Sequence, residues 1–282
     1  MPLESPPQRC RVAIFTTDDV EWSLTTWKRT IPVLLEKHDL IGIYLFPNQL
    51  GQQRGLAIPL WYLRVFGLSS LIILGLFALK QRCGALRSPI RNWQQLARRY
   101  GVQLHRADSP NADEVVRWSR QSHLDVILIT VGHILKAPIL ATVRIAFINK
   151  HAALLPSCRG LFPYFWALLN DLPTGITFHE VDAGIDTGRS LLQVRHPPGQ
   201  SSMSMLRFYI DVFALFAALA MLALERAAAG EYATPGHDRA DTYHSLPTRQ
   251  DYKAFRRKGL RVCNLSDVFY SPRLCVSGSE DS

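Results

Sequence analysis

The sequence predicts an α/β protein with a Rossmann-like, doubly wound and mostly parallel sheet, followed by a helical and basic C-terminal extension. Short apolar runs that suit buried strands alternate with longer stretches that suit helices. Strands separated by helices form parallel sheets through crossover connections. The chain has 282 residues, of which 48% are hydrophobic and 20% charged, so it can bury a full core and is not a disordered chain.

The alternation of elements defines a first domain over residues 8–198. The last two strands are expected to finish the sheet. Apolar runs predict strands at 9–15, 40–46, 125–130, 144–149, 175–181 and 190–194, and helices are expected at 26–36, 92–100, 112–122 and 162–170.

The extension covers residues 199–282. It begins after a Pro-Pro-Gly segment with one long predicted helix at 201–229, rich in Ala, Leu and Met and ended by Gly230. The rest of the chain is polar and basic. Because it is short for an independent domain of ordinary size, we expect the extension to pack against the first domain.

The net charge of +9 is concentrated in one part of the chain. Residues 40–107 hold nine basic residues and no acidic one, and this part includes an insertion-like stretch at 50–91. The apolar run 65–79 lies between Arg64 and Lys80 and is shorter than the roughly 20 residues of a membrane-spanning helix. A buried or interfacial helix is the expectation, and peripheral membrane contact through 57–80 remains open because basic residues beside an apolar helix suit anionic lipids.

Several functional classes lack their sequence signatures. The turn after the first strand reads TTDDV, where a dinucleotide site needs G-x-G-x-x-G, and no GxxxxGK[ST] motif occurs. The five cysteines form no CxxC pair and the histidines lack metal-ligand spacing, so no metal is expected. The N-terminus lacks an apolar signal core, and the chain is expected to be cytoplasmic, with membrane association as the alternative.

The densest chemistry lies between residues 147 and 188. Asn149 and His151 stand two residues apart where a predicted strand ends, so both side chains leave the same face at the ligand-binding edge of the sheet. A second polar cluster, His179, Asp182 and Asp186, follows the next strand. A nucleophilic pair of Cys158 with His151 is an alternative interpretation.

The residues of this segment resemble a known family. The string N-x-H-x-x-L-L-P-x-x-R-G-x-x-P-x-x-W-A-L-x-N, followed by T-G-I-T-x-H-x-x-D-x-G-x-D-T-G, is similar to the folate-dependent formyltransferases, including glycinamide ribonucleotide and methionyl-tRNA formyltransferases. The resemblance implies the formyltransferase fold over 8–198. It also implies a catalytic set of Asn149, His151 and Asp186.

The implied reaction is transfer of a formyl group from 10-formyltetrahydrofolate to a primary amine. Attack on the formyl carbon gives a tetrahedral species with an oxyanion, to which Asn149 and a protonated His151 would donate hydrogen bonds. Asp186 would raise the pKa of His151 and accept the amine proton, directly or through water. This chemistry needs neither a metal nor a covalent enzyme intermediate.

The resemblance also implies where the pterin ring of the donor binds. Its contacts would come from the loops 131–136 and 181–186, where apolar side chains suit a flat ring and backbone groups match its edge. Three of the expected donor-binding residues have structural alternatives: a partly exposed loop histidine for His133, a buried imidazole that orients the loop for His179 and a turn-stabilising carboxylate for Asp182. The expected donor-binding residues are Gly132, His133, Ile134, Leu135, His179 and Asp182.

The acceptor is expected to be a small-molecule amine, for which an anionic group is one option. Initiator tRNA is not expected, because the C-terminal region is short for the β-rich second domain of methionyl-tRNA formyltransferase. Two alternatives stay open: hydrolysis of 10-formyltetrahydrofolate, and a membrane-peripheral binding protein that keeps the fold without catalysis. The sequence does not predict an oligomeric state.

Overall fold

The computed structural model describes residues 9–196, 204–234 and 239–272. The predicted boundary between 198 and 199 and the first residues of the predicted helix at 201–229 lie outside the described residues. The strands are β1 (Arg11–Thr17), β2 (Asp39–Phe46), β3 (Gln49–Leu50), β4 (Gln53–Arg54), β5 (Gln103–Arg106), β6 (Val126–Thr130), β7 (Ala146–His151), β8 (Arg159–Gly160), β9 (Gly175–Glu180), β10 (Ser190–Arg195) and β11 (Tyr243–His244).

The helices include two that are much longer than the rest. They are α1 (Thr25–Lys37), α2 (Ala57–Leu86), α3 (Trp93–Tyr100), α4 (Asp113–Gln121), α5 (Ala137–Leu140), α6 (Pro163–Leu169), α7 (Met205–Ala229) and α8 (Arg249–Arg257). A π-helical turn, Val20–Leu24, precedes α1, and a 3₁₀ helix, Leu265–Phe269, follows α8.

Seven strands form the central sheet in the order β10-β9-β7-β6-β1-β2-β5. The five strands from β7 to β5 are parallel, and β9 and β10 add antiparallel pairs at the other edge. The strand order reverses between β1 and β6, which is the switch point where open α/β sheets bind ligands. The predicted doubly wound, mostly parallel sheet with a helical C-terminal region is confirmed.

Apolar side chains cover both faces of this sheet. One face, with Ile14 and Ile148, packs against α1 and α7, and the other, with Phe15 and Phe147, packs against α4 and α5. Because successive strand residues point to opposite faces, the near-continuous apolar runs of the central strands are explained by burial on both sides.

The sequence analysis did not predict the short elements β3, β4, β8, β11 and α5 or the helix α8, and β5 and α2 also differ from its expectation. Strand β5 was not predicted, because its four residues QLHR have little apolar pattern and its partner β2 is distant in the chain. The apolar run 65–79 is the central part of the 30-residue helix α2, which is interrupted by a non-helical Gly67 at φ 84°.

The C-terminal extension packs on the sheet domain. Helix α7 begins at the N-cap Ser204, whose hydroxyl accepts the Arg207 N–H, and it ends at Gly230 in the left-handed conformation. Further along, β11 pairs with β8, and α8 packs next to α2 and α6. The extension therefore adds a strand beside β8, in a two-stranded sheet that is separate from the central one.

Candidate active site

A cleft of about 790 Å³ opens at the carboxyl ends of β6 and β7. Its walls come from the loop after β6, the end of β7, the loop after β9, the β3–β4 hairpin and the C-terminal extension. The structure brings all nine residues predicted for catalysis or donor binding to this cleft: Gly132, His133, Ile134, Leu135, Asn149, His151, His179, Asp182 and Asp186.

Asn149 is positioned by the pairing of β7 with β9, where it lies opposite His179. It shares one face of β7 with His151, because alternate strand residues point the same way. Among the residues that the structure describes, no hydrogen-bond partner is found for the side-chain amide of Asn149. This amide is therefore available to donate to a ligand in the cleft.

His151 is buried at the end of β7, with both ring nitrogens facing acceptors. Its Nε2 donates to the Cys158 carbonyl at 2.9 Å, and its Nδ1 lies 3.4 Å from Asp186 Oδ2. Burial lowers the pKa of His151 to about 4, although the Asp186 charge acts in the opposite direction. The Asp186 charge raises the pKa of His151 as expected, but the desolvation of the imidazolium outweighs this attraction, so the protonated His151 expected from the sequence is disfavoured. The ring is neutral at neutral pH.

Asp186 lies between the two histidines of the cleft. Its Oδ2 accepts the Gly160 N–H at 2.8 Å, and its Oδ1 lies 3.5 Å from His179 Nε2. Burial alone would raise the pKa of Asp186, but the contacts with His179, His151 and Gly160 together lower it to about 2. The cleft therefore holds an ionised carboxylate between two imidazole rings.

The backbone that holds Asp186 depends on Gly160. This residue has φ 95°, and a Cβ added there would collide with the carbonyl oxygen of His244 on the neighbouring β11. The pairing of β8 with β11 fixes the Gly160 N–H that Asp186 accepts. The C-terminal extension therefore helps to position Asp186, because its strand β11 holds β8 in place.

The loop after β6 combines apolar and polar groups on the wall of the cleft. Ile134 is 64% exposed, whereas the side chain of Leu135 is buried in the core beneath the loop. His133 Nδ1 is buried and has no hydrogen-bond partner within the described ranges, and burial lowers the pKa of His133. At Gly132 a Cβ would collide with the Gln49 carbonyl oxygen, so this position requires glycine.

His179 and Asp182 make contacts that stabilise the loop after β9. The Nδ1 of His179 donates to the Glu180 carbonyl at 2.7 Å. Asp182 Oδ1 accepts the Gly184 N–H at 2.9 Å and the Thr187 hydroxyl at 2.6 Å, the pattern of a turn-stabilising carboxylate. The side chain of Asp182 therefore stabilises the loop, although Asp182 also lines the cleft.

The alternative of a Cys158 nucleophile does not fit the geometry. Cys158 is fully buried, and burial raises the pKa of its thiol to about 11, so the reactive thiolate is disfavoured. What faces His151 is the Cys158 carbonyl oxygen. In the described part of the chain, no group of three or more His, Cys, Asp or Glu residues is arranged to hold a metal ion.

The family model described as "Formyl transferase" matches residues 89–200, which include the whole Asn149, His151 and Asp186 arrangement. The resemblance to the formyltransferase family is confirmed. Methionyl-tRNA formyltransferase from Sorangium cellulosum (strain So ce56) is 33% identical over 154 residues, which are 54% of this chain and 49% of the relative. The chain thus spans about half the length of this curated relative.

Solved formyltransferases share the fold at low sequence identity. Glycinamide ribonucleotide transformylase 1 from Symbiobacterium toebii matches with a TM-score of 0.53 and 16% identity, over 81% of this chain and 92% of that chain. A sugar 3N-formyl transferase, whose structure was determined in the presence of dTDP and 5-N-formyl-THF, matches with a TM-score of 0.52 and 14% identity, over 86% and 71% of the two chains.

Sequence reasoning missed one residue inside the formyltransferase motif. Lys150 stands between Asn149 and His151 but points to the other face of β7, where its Nζ lies 4.3 Å from the ring centroid of Phe213 and 5.7 Å from that of Tyr209. Burial lowers its pKa to about 8. A lysine within an apolar strand could have been noticed in the sequence. Its aromatic partners could not, because they belong to α7, which contacts β7 only in the folded structure.

Proposed function

We propose that the protein transfers a formyl group from 10-formyltetrahydrofolate to a primary amine. The observation that carries this proposal is the Asn149 amide, without a partner among the described residues, in the same cleft as the Asp186 carboxylate and its two histidines. This arrangement offers a hydrogen-bond donor for a developing oxyanion next to groups that bind a proton. The similarity to formyltransferases supports the same reaction class.

The walls of the cleft suit the donor. When bound, 10-formyltetrahydrofolate supplies the formyl carbon that the amine attacks. The exposed Ile134 offers an apolar contact for a flat ring, and the buried His133 Nδ1 is a polar atom with no partner in the described ranges that a heteroaromatic edge could satisfy. A cleft of about 790 Å³ lies within the range of small-molecule sites, roughly 300–1,000 Å³.

Asn149, His151 and Asp186 would each have a different role in the reaction. Asn149 would donate to the formyl oxygen as negative charge develops on it, and His151 would assist if its Nε2–H turns from the Cys158 carbonyl. The pKa of Asp186 is the lower of the pair, so a proton leaving the amine would rest on the His151 ring beside the Asp186 charge. From there His151 would return it to the donor nitrogen as the bond between that nitrogen and the formyl carbon breaks, which releases tetrahydrofolate. Asp186 therefore assists by its charge and position.

We propose a small-molecule amine as the acceptor. The extension narrows the cleft with Tyr209, Phe213 and Tyr243, which favours a compact acceptor over initiator tRNA. Lys150 is also among the residues that line the cleft, and its positive charge would attract an anionic group of the acceptor. We also propose that the enzyme is cytoplasmic.

The test measures tetrahydrofolate release from 10-formyltetrahydrofolate by the purified full chain with a panel of small amines. We expect Asn149→Ala, His151→Ala and Asp186→Asn each to slow release by about 100-fold or more, because they remove the donor to the oxyanion, the acceptor of the amine proton and the charge beside that acceptor. His105→Ala and Asp113→Asn change the same residue types away from the cleft and should retain the wild-type rate.

The same assay separates the alternatives. Release that depends on an amine supports the transferase, and equally fast release without any amine supports the hydrolase. If the wild-type protein releases no tetrahydrofolate with any amine, a binding protein without catalysis replaces this proposal. If the three cleft variants are as fast as wild type, the assignment of the catalytic residues is wrong.

A further inference from the structure

The solvent-facing side of α2 is apolar, which is unusual for a surface helix of a globular protein. Among the described residues, sixteen large hydrophobic side chains are exposed, and half of them lie on α2 or at its N-cap. From Leu56 to Leu79 they are three to five residues apart, and Leu86 follows seven residues after Leu79, so the spacing is close to one or two helical turns and places them along one side of the helix. They are Leu56, Leu60, Leu63, Leu68, Ile72, Leu76, Leu79 and Leu86.

The 3₁₀ helix after α8 extends this apolar side. Phe269 is 76% exposed and Leu265 is 59% exposed. The segment is tied to α2 because Lys80 Nζ donates to the Val268 carbonyl at 2.6 Å and the Cys263 thiol to the Ser70 carbonyl at 3.7 Å. We call the exposed side of α2 together with Leu265 and Phe269 the α2 surface. Ten of the sixteen exposed hydrophobic side chains lie on it.

The opposite side of α2 is packed against the protein. Phe66 contacts Phe162 and Tyr252 with ring centroids 5.8 and 5.1 Å apart, and Phe77 contacts Trp22 at 4.9 Å. A helix that crossed a bilayer would meet lipid on all sides not covered by other spanning helices. Since one side of α2 is packed and Gly67 interrupts the helix, α2 suits a position in the plane of an interface.

Exposed basic side chains lie on α2 and next to both of its ends. The arginines Arg54, Arg64, Arg82 and Arg87 are exposed, and residues 40–107 contain no acidic side chain. One of these arginines, Arg82, pairs with Glu21 at 2.5 Å. An apolar surface with a positive border is complementary to a bilayer of anionic lipids, which attract basic residues near their headgroups.

We propose that the α2 surface docks the protein peripherally on an anionic lipid bilayer, with α2 lying in the headgroup region. The surface begins next to the cleft, because Gln53 lines the cleft and Leu56 follows three residues later. Phe162 connects the two regions, since it lines the cleft and contacts Trp61 at 5.2 Å. A docked α2 therefore brings one rim of the cleft close to the lipid headgroups.

The test is flotation of the full chain with vesicles of phosphatidylcholine alone or mixed with phosphatidylglycerol. We expect wild type to bind the mixed vesicles and to be released by high salt, since screening weakens electrostatic attraction. The pair Ile72→Glu and Leu76→Glu should reduce binding about tenfold or more, because it places charge in the apolar surface. The matched pair Val33→Glu and Leu222→Glu, exposed on α1 and α7, should bind as wild type does.

The charged border is tested separately. Arg64→Gln with Arg87→Gln should remove the preference for phosphatidylglycerol while the folded circular dichroism spectrum is retained. The proposal is overturned if wild type does not float with mixed vesicles, or if the Ile72 and Leu76 pair binds as tightly as wild type. It is also overturned if sedimentation velocity shows a dimer of wild type that this pair dissociates while vesicles bind neither protein. None of these measurements depends on formyl transfer, so they test membrane docking whether or not the proposed activity is found.

Discussion

Helices α2 and α7 have similar hydropathy, but α7 is more deeply buried than α2. Both are long and apolar enough to cross a membrane by length and composition alone, and their mean hydropathy is nearly equal. In α7 eleven of 25 residues are buried, whereas in α2 only five of 30 are. Hydropathy alone therefore does not tell a core helix from an interfacial one.

The difference between the helices follows from what each one meets. α7 lies against α1 and the strands β9 and β10, where Phe216 contacts Trp27 and Phe178 with ring centroids 5.2 and 5.7 Å apart. α2 is packed on one side only, against the π-helical turn, α8 and the 3₁₀ helix. The apolar side chains of α7 stabilise the fold, and those on the outer side of α2 remain available for a partner.

The largest effect is expected from truncation in the α7 core. Phe216→Ala should lower the free energy of unfolding by about 3–5 kcal/mol, because it removes a side chain that is 2% exposed and leaves a cavity. Leu79→Ala in α2, where the side chain is 57% exposed, is the matched control and should change it by less than about 0.5 kcal/mol. Urea unfolding measures both. Equal losses in the two variants would contradict the distinction between the helices.

A smaller effect is expected where α7 meets the cleft. The pKa of Lys150 falls from 10.5 to about 8 in the folded protein, so between these values the unfolded chain binds a proton that the folded protein does not. Stability should therefore rise with pH across this window. Lys150→Met, which keeps an aliphatic chain against Phe213, should remove the slope and raise stability below pH 8 by on the order of 1–3 kcal/mol.

The control for this effect is an exposed lysine. Lys253→Met on α8 should leave the difference in stability between the two ends of the pH window as in wild type. Urea unfolding at several pH values across the window measures the slope. If Lys150→Met retains the wild-type slope, the ammonium is hydrated in the folded protein, and α7 does not determine its environment.

The smallest effect is expected on the outer side of α2. The pair Ile72→Glu and Leu76→Glu should change the free energy of unfolding by less than about 1 kcal/mol, because both side chains already face solvent. Light scattering should also show less self-association, since an apolar patch is interrupted by charge. A loss of several kcal/mol on urea unfolding would mean that this side of α2 is packed, and the comparison with α7 would fail.

Most elements of the sheet could be predicted because they carry their own signal. The apolar runs at the positions of β1, β2, β6, β7, β9 and β10 give strands within two residues of the expected ends. Strand β5 could not be predicted, because QLHR becomes a strand only through hydrogen bonds to β2. The antiparallel direction of β9 and β10 was also open, since apolar alternation does not encode direction.

The candidate site shows the same division. The motif predicts that Asn149, His151 and Asp186 belong to one site, and in the structure all three line one cleft. Their catalytic roles remain predictions. The protonation of His151 could not be read from the motif, because the sequence shows its charged neighbour but not the burial that outweighs it. Lys150 and the rings that cover it come from parts of the chain about sixty residues apart.

The sequence by itself determined the alternation of strands and helices, the motif and the acid-free basic stretch, because these are properties of local residue order. Only the tertiary structure decided which apolar helix is buried, which histidine is neutral and which residues of the extension reach the cleft. The physical reason is that burial and desolvation depend on neighbours from distant parts of the chain. One composition can therefore give the core helix α7 and the exposed surface of α2.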